Sequence, residues 1–109
     1  MRHYNIAILT VMFKKKILKK YKLNFNSNYN VIGDYDLFVK LSQKIYIGCI
    51  QQPLAIYRNH AGSFSNQNLS MHINELKKWY IVNHKLFTLK NRINFKLDFY
   101  KLKIKSLIS

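Results

Sequence analysis

Four side chains that can do acid–base or ionic chemistry stand in the middle of the chain, within 27 positions. Asp34 and Asp36 are two residues apart, and Arg58 and His60 follow in the same charge-poor segment. A carboxylate can take a proton from an attacking hydroxyl group, and cationic side chains can stabilise an anionic leaving group. Each residue also has a plainer interpretation. Asp34 can be a helix cap and Asp36 an acid of the first helical turn. Arg58 can pair with either acid, and His60 can be a histidine in a loop.

The composition restricts the class of protein that can carry these residues. The chain has 109 residues, with 19 Lys and Arg against 4 Asp and Glu, and a net charge of +15. That length allows one domain or part of one. Apolar residues make up 49%, which is too many for a disordered basic tail. The single Cys49 excludes an internal disulfide framework and a cysteine-based zinc site.

The positive charge is concentrated in two flanks around a nearly neutral centre. Residues 1–30 and 71–109 hold most of the basic residues, whereas the centre contains half of the acids. Such flanks can attract polyanions, namely nucleic acid, anionic lipid or a nucleotide diphosphate. Compositional drift toward Lys, Asn, Ile and Tyr explains the excess equally well.

Periodicity predicts a mixture of strands and helices. β-Branched and apolar runs predict strands at 6–13, 45–50 and 54–58. Helices are predicted at 14–21, from Asp34 to about 42, from 68 to about 89 and from 92 to 108. In the second of these, Leu37, Phe38 and Leu41 share one face. The isolated glycines form no phosphate-binding loop.

The last predicted helix has an imperfect apolar face. Its main stripe contains Ile93, Leu97, Tyr100, Ile104 and Leu107, while Phe95, Phe99 and Leu102 lie off it. Arg92, Lys96 and Lys103 border one edge of the stripe and Lys101 the other. This arrangement suits an anionic membrane surface, and it equally suits a solvated helix packed on the domain. No segment is long and apolar enough to predict a membrane span.

Two sequence blocks resemble family 2 glycosyltransferases. Residues 33–41, Gly-Asp-Tyr-Asp-Leu-Phe-Val-Lys-Leu, are similar to the family's acidic motif, although Gly33 stands where the family often has Glu. Residues 53–60, Pro-Leu-Ala-Ile-Tyr-Arg-Asn-His, resemble a stretch found in many bacterial members. Ser63, Phe64 and Ser65 match the loop that follows, and Glu75 and Trp79 match the next helix.

The resemblance implies a fold and a partial domain. It predicts an α/β fragment of a GT-A-type nucleotide-sugar transferase, with few strands plus C-terminal helices. Residues 1–89 would form the acceptor-side part and residues 90–109 a basic C-terminal helix. The nucleotide-binding half is missing from the match, so we expect a truncated enzyme that is inactive by itself.

The resemblance also implies roles for individual residues. Asp34 would be the catalytic base of an inverting sugar transfer, and Tyr35 and Asp36 would bind or orient the acceptor. Arg58 would contact the diphosphate of the donor or hold the acidic motif in place, and His60 would contact the diphosphate or its metal. Asp34-Tyr35-Asp36 also spells the family's metal-binding D-x-D, but its position at a helix start favours the acceptor-side motif, and no residue is assigned to a metal.

The complete enzyme would use a nucleotide-diphosphate sugar as donor and Mg²⁺ or Mn²⁺ as metal. Its acceptor would be a saccharide or a lipid-linked hydroxyl, in surface polysaccharide or glycolipid synthesis, in the cytoplasm or at the inner face of the membrane. The alternative is a small basic nucleic-acid-binding module that uses the Lys-rich flanks and stacking Tyr and Phe rings. No recognised nucleic-acid motif supports that alternative.

Overall fold

The computed structural model describes residues 6–58, 60 and 62–108, and the regular elements in them are helices. The five α-helices are α1 (Lys15–Tyr21), α2 (Gly33–Ser42), α3 (Phe64–Gln67), α4 (Leu69–Asn83) and α5 (Leu89–Ile108). Short 3-10 turns lie at Ile8–Thr10 and His84–Leu86. The four helices predicted from periodicity are confirmed, although α4 ends before Leu89 and α5 begins there.

The predicted α/β fold is wrong for the described residues, because they contain no strand. The segment at 6–13 contains a 3-10 turn, and the predicted strands at 45–50 and 54–58 have no regular structure. Tyr46, Ile50 and Ile56 in these segments are exposed. A β-branched run favours extended backbone, but it becomes a stable strand only when a neighbouring strand completes its hydrogen bonds.

Helix α2 lies at the centre of the fold because it is apolar on two sides. Five of its residues are buried, from Asp36 to Val39 and Leu41. Leu37, Phe38 and Leu41 form one cluster with partly buried side chains from the N-terminal segment and α1, including Phe13, Ile17 and Tyr21. The Phe13 and Phe38 rings meet edge to face at 6.2 Å. The face predicted from the sequence is therefore a core face.

The other side of α2 packs against α4 and α5. Ile32 and Val39 form a second buried cluster with Leu76 and Trp79 of α4. Aromatic side chains that follow α4 or lie on α5 surround this cluster. Phe95 stacks on Tyr80 with ring centroids 4.6 Å apart and an interplanar angle of 9°. The indole of Trp79 has no exposed surface.

Helix α5 has two apolar faces, and the face with fewer apolar residues packs into the core. Phe95, Phe99 and Leu102 pack against the α2–α4 cluster. The main stripe predicted from the sequence, by contrast, is largely exposed, with Ile93, Leu97 and Ile104 between 54% and 56% accessible. The amphipathic pattern identified the helix but not which of its two faces is buried.

Local contacts fix the ends of the helices. Lys22 adopts a left-handed conformation (φ 53°) after α1, and the N–H of Leu23 then reaches the Leu18 carbonyl at 2.9 Å. The Thr88 hydroxyl accepts the N–H of Asn91 at the start of α5. The Arg92 guanidinium donates to the His84 carbonyl at 3.1 Å and so ties α5 to the end of α4.

None of the helices in the described part of the chain combines the length and apolarity needed to cross a bilayer.

The packing of α5 predicts unequal effects of two truncations. Phe95→Ala should lower the free energy of unfolding by about 2–4 kcal/mol, because it removes a stacked ring and leaves a cavity. Ile93→Ala should change it by less than about 0.5 kcal/mol, because that side chain is largely exposed. Urea denaturation followed by circular dichroism measures both. A larger loss for Ile93→Ala would mean that the opposite face of α5 is packed.

Candidate functional site

The backbone leading into α2 is held by a carboxylate from another helix. Helix α2 has no side-chain cap of its own at Ile32. Instead, Glu75 of α4 accepts the N–H groups of Asn30, Val31 and Ile32 at 2.8, 3.0 and 3.1 Å. These three N–H groups belong to the segment that leads into α2 and lie outside its hydrogen-bonding pattern, and a negative charge is favourable at that end of a helix. Glu75 therefore fixes where α2 begins.

These hydrogen bonds control the titration of Glu75. Burial by itself raises the pKa of this carboxyl group. The three backbone N–H donors and the charge of His72 act in the opposite direction and outweigh burial, so the pKa of Glu75 lies below its usual value. The group is consequently ionised at neutral pH although it is buried.

A second buried carboxylate joins α2 to α4. Asp36 is almost fully buried, and its Oδ1 accepts the indole N–H of Trp79 at 2.6 Å. The Lys40 ammonium lies 2.6 Å from the same oxygen, one turn along α2. Oδ2 is buried and accepts no hydrogen bond from the described residues. Asp36 therefore has a packing role between two helices, whatever it does toward an acceptor.

Asp34 is placed differently from these two acids. It lies in the first turn of α2 and is only partly buried. Its Oδ1 accepts the neighbouring N–H of Tyr35 at 2.7 Å. Glu75 holds the backbone that precedes this turn, and Asp36, in the same turn, bonds it to Trp79 of α4. The carboxylate of Asp34 is thus carried on a rigid turn, where it can reach a molecule at the surface.

Tyr35 faces the interior of the helical cluster. Its ring meets Trp79 edge to face at 4.9 Å. Burial, followed by the charge of Asp98 on α5, raises the pKa of its phenol well above the usual value. Tyr35 remains protonated under all ordinary conditions. Its surroundings are those of a residue that packs α2 against α4 and α5.

His72 is a site residue that the sequence motifs did not identify. It is half-buried on α4, three residues before Glu75. Burial lowers the pKa of its ring, while the charges of Glu75 and Asp34 oppose that shift without cancelling it. The imidazole is therefore mainly neutral at neutral pH, in the field of Asp34. The i, i+3 spacing with Glu75 on one helix face was the available signal.

An open cleft lies beside the Glu75 contact. Its volume is about 420 Å³, and Glu75 forms part of its wall. Most of the lining groups are amides, hydroxyls or a single ammonium: Asn28, Tyr29, Asn30, Ser70, Asn74 and Lys78. Burial and then the charges of Asp36 and Glu75 raise the pKa of Tyr29, so its hydroxyl remains a donor. The cleft can exchange several hydrogen bonds with a polar ligand.

The five predicted residues lie in two different segments of the structure. Asp34, Tyr35 and Asp36 share the first turn of α2, but Arg58 and His60 are exposed in the irregular segment before α3. The ion pair of Asp36 is made with Lys40 rather than Arg58. The His60 ring lies close to Gly62: a Cβ atom added at Gly62 would be 3.4 Å from the Nδ1 atom of His60.

No group of three His, Cys, Asp or Glu side chains suited to a metal ion occurs among residues 6–58, 60 and 62–108. The expected Mg²⁺ or Mn²⁺ stays a prediction for the complete enzyme.

Comparisons with protein-family models, curated proteins and solved structures find no match to this chain. The relationship to family 2 glycosyltransferases thus rests on the motifs at 33–41 and 53–60 alone, and it stays a prediction.

Replacing Glu75 should destabilise the protein in a pH-dependent way. Glu75→Gln should lower the free energy of unfolding at neutral pH by about 1–3 kcal/mol, because all three N–H groups lose a charged acceptor and at least one of them then faces the amide NH2 group. Since the folded-state pKa of Glu75 is depressed, its stabilisation is present above the unfolded pKa and lost as pH falls through the folded pKa.

The free energies of unfolding of wild type and Glu75→Gln should therefore become similar at acidic pH. Urea denaturation at a series of pH values measures the difference, and Lys77→Gln, at an exposed position on the same helix, is the control. A difference between wild type and Glu75→Gln that stays constant with pH would contradict the capping role.

Proposed function

We propose that this chain supplies the acceptor-side part of an inverting glycosyltransferase, with Asp34 as its catalytic base. The observation that carries the proposal is the contrast among three neighbouring acids. Glu75 and Asp36 are buried and bonded to other parts of the fold. Asp34 lies on the turn that they hold, and it is partly exposed. Preorganised placement of a base is what such a reaction requires.

In the proposed reaction, Asp34 accepts the proton of an acceptor hydroxyl group. The hydroxyl oxygen then forms a bond to the anomeric carbon of the donor sugar, while the bond from that carbon to the diphosphate breaks. The nucleotide diphosphate leaves with the electron pair, and attack from the opposite face inverts the anomeric configuration. Neutral His72 lies in the field of Asp34 and would accept the proton from its carboxyl group, which returns Asp34 to the ionised state.

The cleft beside Glu75 is the proposed position of the acceptor. A saccharide presents many hydroxyl groups, and the amides of Asn30 and Asn74 with the hydroxyl of Ser70 can donate to and accept from them. Glu75 lines this cleft and also holds the backbone that leads to Asp34. Glu75 thus links the proposed acceptor cleft to Asp34, the proposed base.

The donor half of the reaction needs groups beyond those just described. A divalent metal, when bound in the complete enzyme, would stabilise the charge that develops on the leaving diphosphate. Arg58 and His60 are exposed, which leaves them accessible to the same anion. We propose further that transfer takes place in the cytoplasm, at the inner face of the membrane, onto a saccharide or lipid-linked hydroxyl.

Replacing the proposed base should abolish transfer without unfolding the protein. Asp34→Asn should reduce the rate at least about a hundredfold, the usual contribution of a general base. Because the chain is expected to be inactive by itself, the assay uses cell extracts that also contain the nucleotide-binding half, with and without this chain, supplied with labelled nucleotide sugars. Circular dichroism should remain unchanged, because the structural carboxylates are intact.

Asp98→Asn is the matched control, since it removes an acid from α5 and should retain activity. Transfer by Asp34→Asn at the wild-type rate would refute the base assignment. Extracts with wild-type protein that incorporate no more label than extracts without it would refute the proposed function.

The acceptor cleft makes a separate prediction about binding. Addition of oligosaccharides to isotope-labelled protein should shift the NMR signals of the side-chain amides of Asn30 and Asn74. Asn74→Ala should weaken the binding by about fivefold to tenfold, since one neutral hydrogen bond contributes about 1 kcal/mol. Gln43→Ala, an exposed amide after α2, is the control. Shifts confined to other parts of the chain would exclude this cleft.

A further inference from the structure

Helix α5 divides into sectors that face different surroundings. At about 100° per residue, Phe95, Phe99 and Leu102 fall within one narrow sector. These are the side chains that pack against the α2–α4 cluster. The centre of the main apolar stripe lies about 150° away around the helix axis. A helix held by one face in this manner presents the other face outward.

The outward sector is a continuous apolar stripe along the whole helix. Its members share a sector about 100° wide and run from the first residue of α5 to the last. Their side chains are 54–81% exposed: Leu89, Ile93, Leu97, Tyr100, Ile104, Leu107 and Ile108. Folded monomers rarely leave so many large apolar side chains together in water unless another surface covers them.

Basic side chains border the stripe on both sides. Lys96 and Lys103 lie along one edge, and Lys90, Lys101 and Lys105 lie along the other. Asp98 is the one acid in the helix, and it lies outside the stripe. Long lysine side chains can extend their ammonium groups sideways to anionic headgroups while the apolar residues between them enter the acyl boundary.

We propose that α5 binds the protein to the surface of an anionic lipid bilayer through this stripe. The helix lies parallel to the surface, with its apolar side chains below the headgroups and its lysines among the phosphates. The core sector still faces α4, so binding requires no unfolding. This inference does not depend on glycosyl transfer and stands on the geometry of α5 alone.

The charge pattern favours lipid over a second copy of the chain. Pairing two stripes would bring the lysine rows of two strongly basic helices side by side, which costs energy through like-charge repulsion. An anionic bilayer instead attracts each lysine near its surface by about 1 kcal/mol. The same bilayer covers the apolar side chains that a purely electrostatic partner would leave exposed.

Co-sedimentation of the full chain with vesicles tests the proposal. The chain should bind vesicles of phosphatidylcholine and phosphatidylglycerol and bind pure phosphatidylcholine much more weakly. Leu97→Gln/Ile104→Gln should weaken partitioning by roughly tenfold or more, because it removes two apolar side chains that would enter the acyl boundary. Lys96→Gln/Lys101→Gln/Lys103→Gln should weaken it by about a hundredfold on anionic vesicles.

Matched controls separate this face from general basicity and hydrophobicity. Lys15→Gln/Lys16→Gln/Lys19→Gln removes three exposed charges from α1, and Met12→Gln/Ile56→Gln removes two exposed apolar side chains outside α5. Both should bind nearly as well as wild type. Losses equal to those of the α5 variants would overturn the proposal.

A reporter on the stripe tests the depth of insertion. Tyr100→Trp places an indole in the exposed sector, and brominated acyl chains should quench its fluorescence, whereas buried Trp79 should be little affected. Absence of quenching would overturn insertion of the stripe. A dimer by sedimentation velocity that Leu97→Gln/Ile104→Gln dissociates, with no vesicle binding, would show that a second copy covers this face.

Discussion

The fold depends on the contact between Glu75 and the backbone of residues 30–32. Helix α2 contributes to both apolar clusters, yet it has no cap of its own, and its entry is partly buried. If the N–H groups of residues 30–32 were unpaired, their desolvation would cost more free energy than the burial of one apolar side chain contributes. A carboxylate donated from α4 satisfies three of them at once. The position of α2, and therefore of Asp34, follows from an interaction that joins residues more than forty positions apart.

The sequence predicted the helices well because their signal is local. The spacing of Leu37, Phe38 and Leu41 defines a face, and that face is buried as expected. For α5 the same reasoning left open which of two apolar faces is buried, and the face that packs is the one with fewer apolar residues, Phe95, Phe99 and Leu102. Their partners decide the outcome: the rings of Tyr80, Phe87 and Trp79 form an aromatic surface that another aromatic side chain fits. Periodicity carries no information on such a partner.

The strand predictions were wrong for a related reason, since they too depended on a partner that the local sequence does not show. Ile45 to Ile50 and Leu54 to Arg58 have the composition of strands, but a strand's hydrogen bonds are made to another segment. In the described part of the chain no such segment lies alongside. The candidate site divides in the same way: the Asp34-Tyr35-Asp36 turn was predictable from its motif, whereas the place of His72 and the capping role of Glu75 depend on how α4 packs beside α2.

The two structural carboxylates change how the site residues must be interpreted. Asp36 belongs to the same motif as Asp34, but it bonds Trp79 and Lys40 in the interior, so its removal would disturb packing before chemistry. Loss of a buried partner leaves the indole N–H unsatisfied and the ammonium unpaired. Asp34 makes its hydrogen bond within its own turn, and its removal leaves both interhelical contacts intact. Replacement of Asp34 can therefore test its role in catalysis without destabilising the fold, whereas replacement of Asp36 or Glu75 cannot.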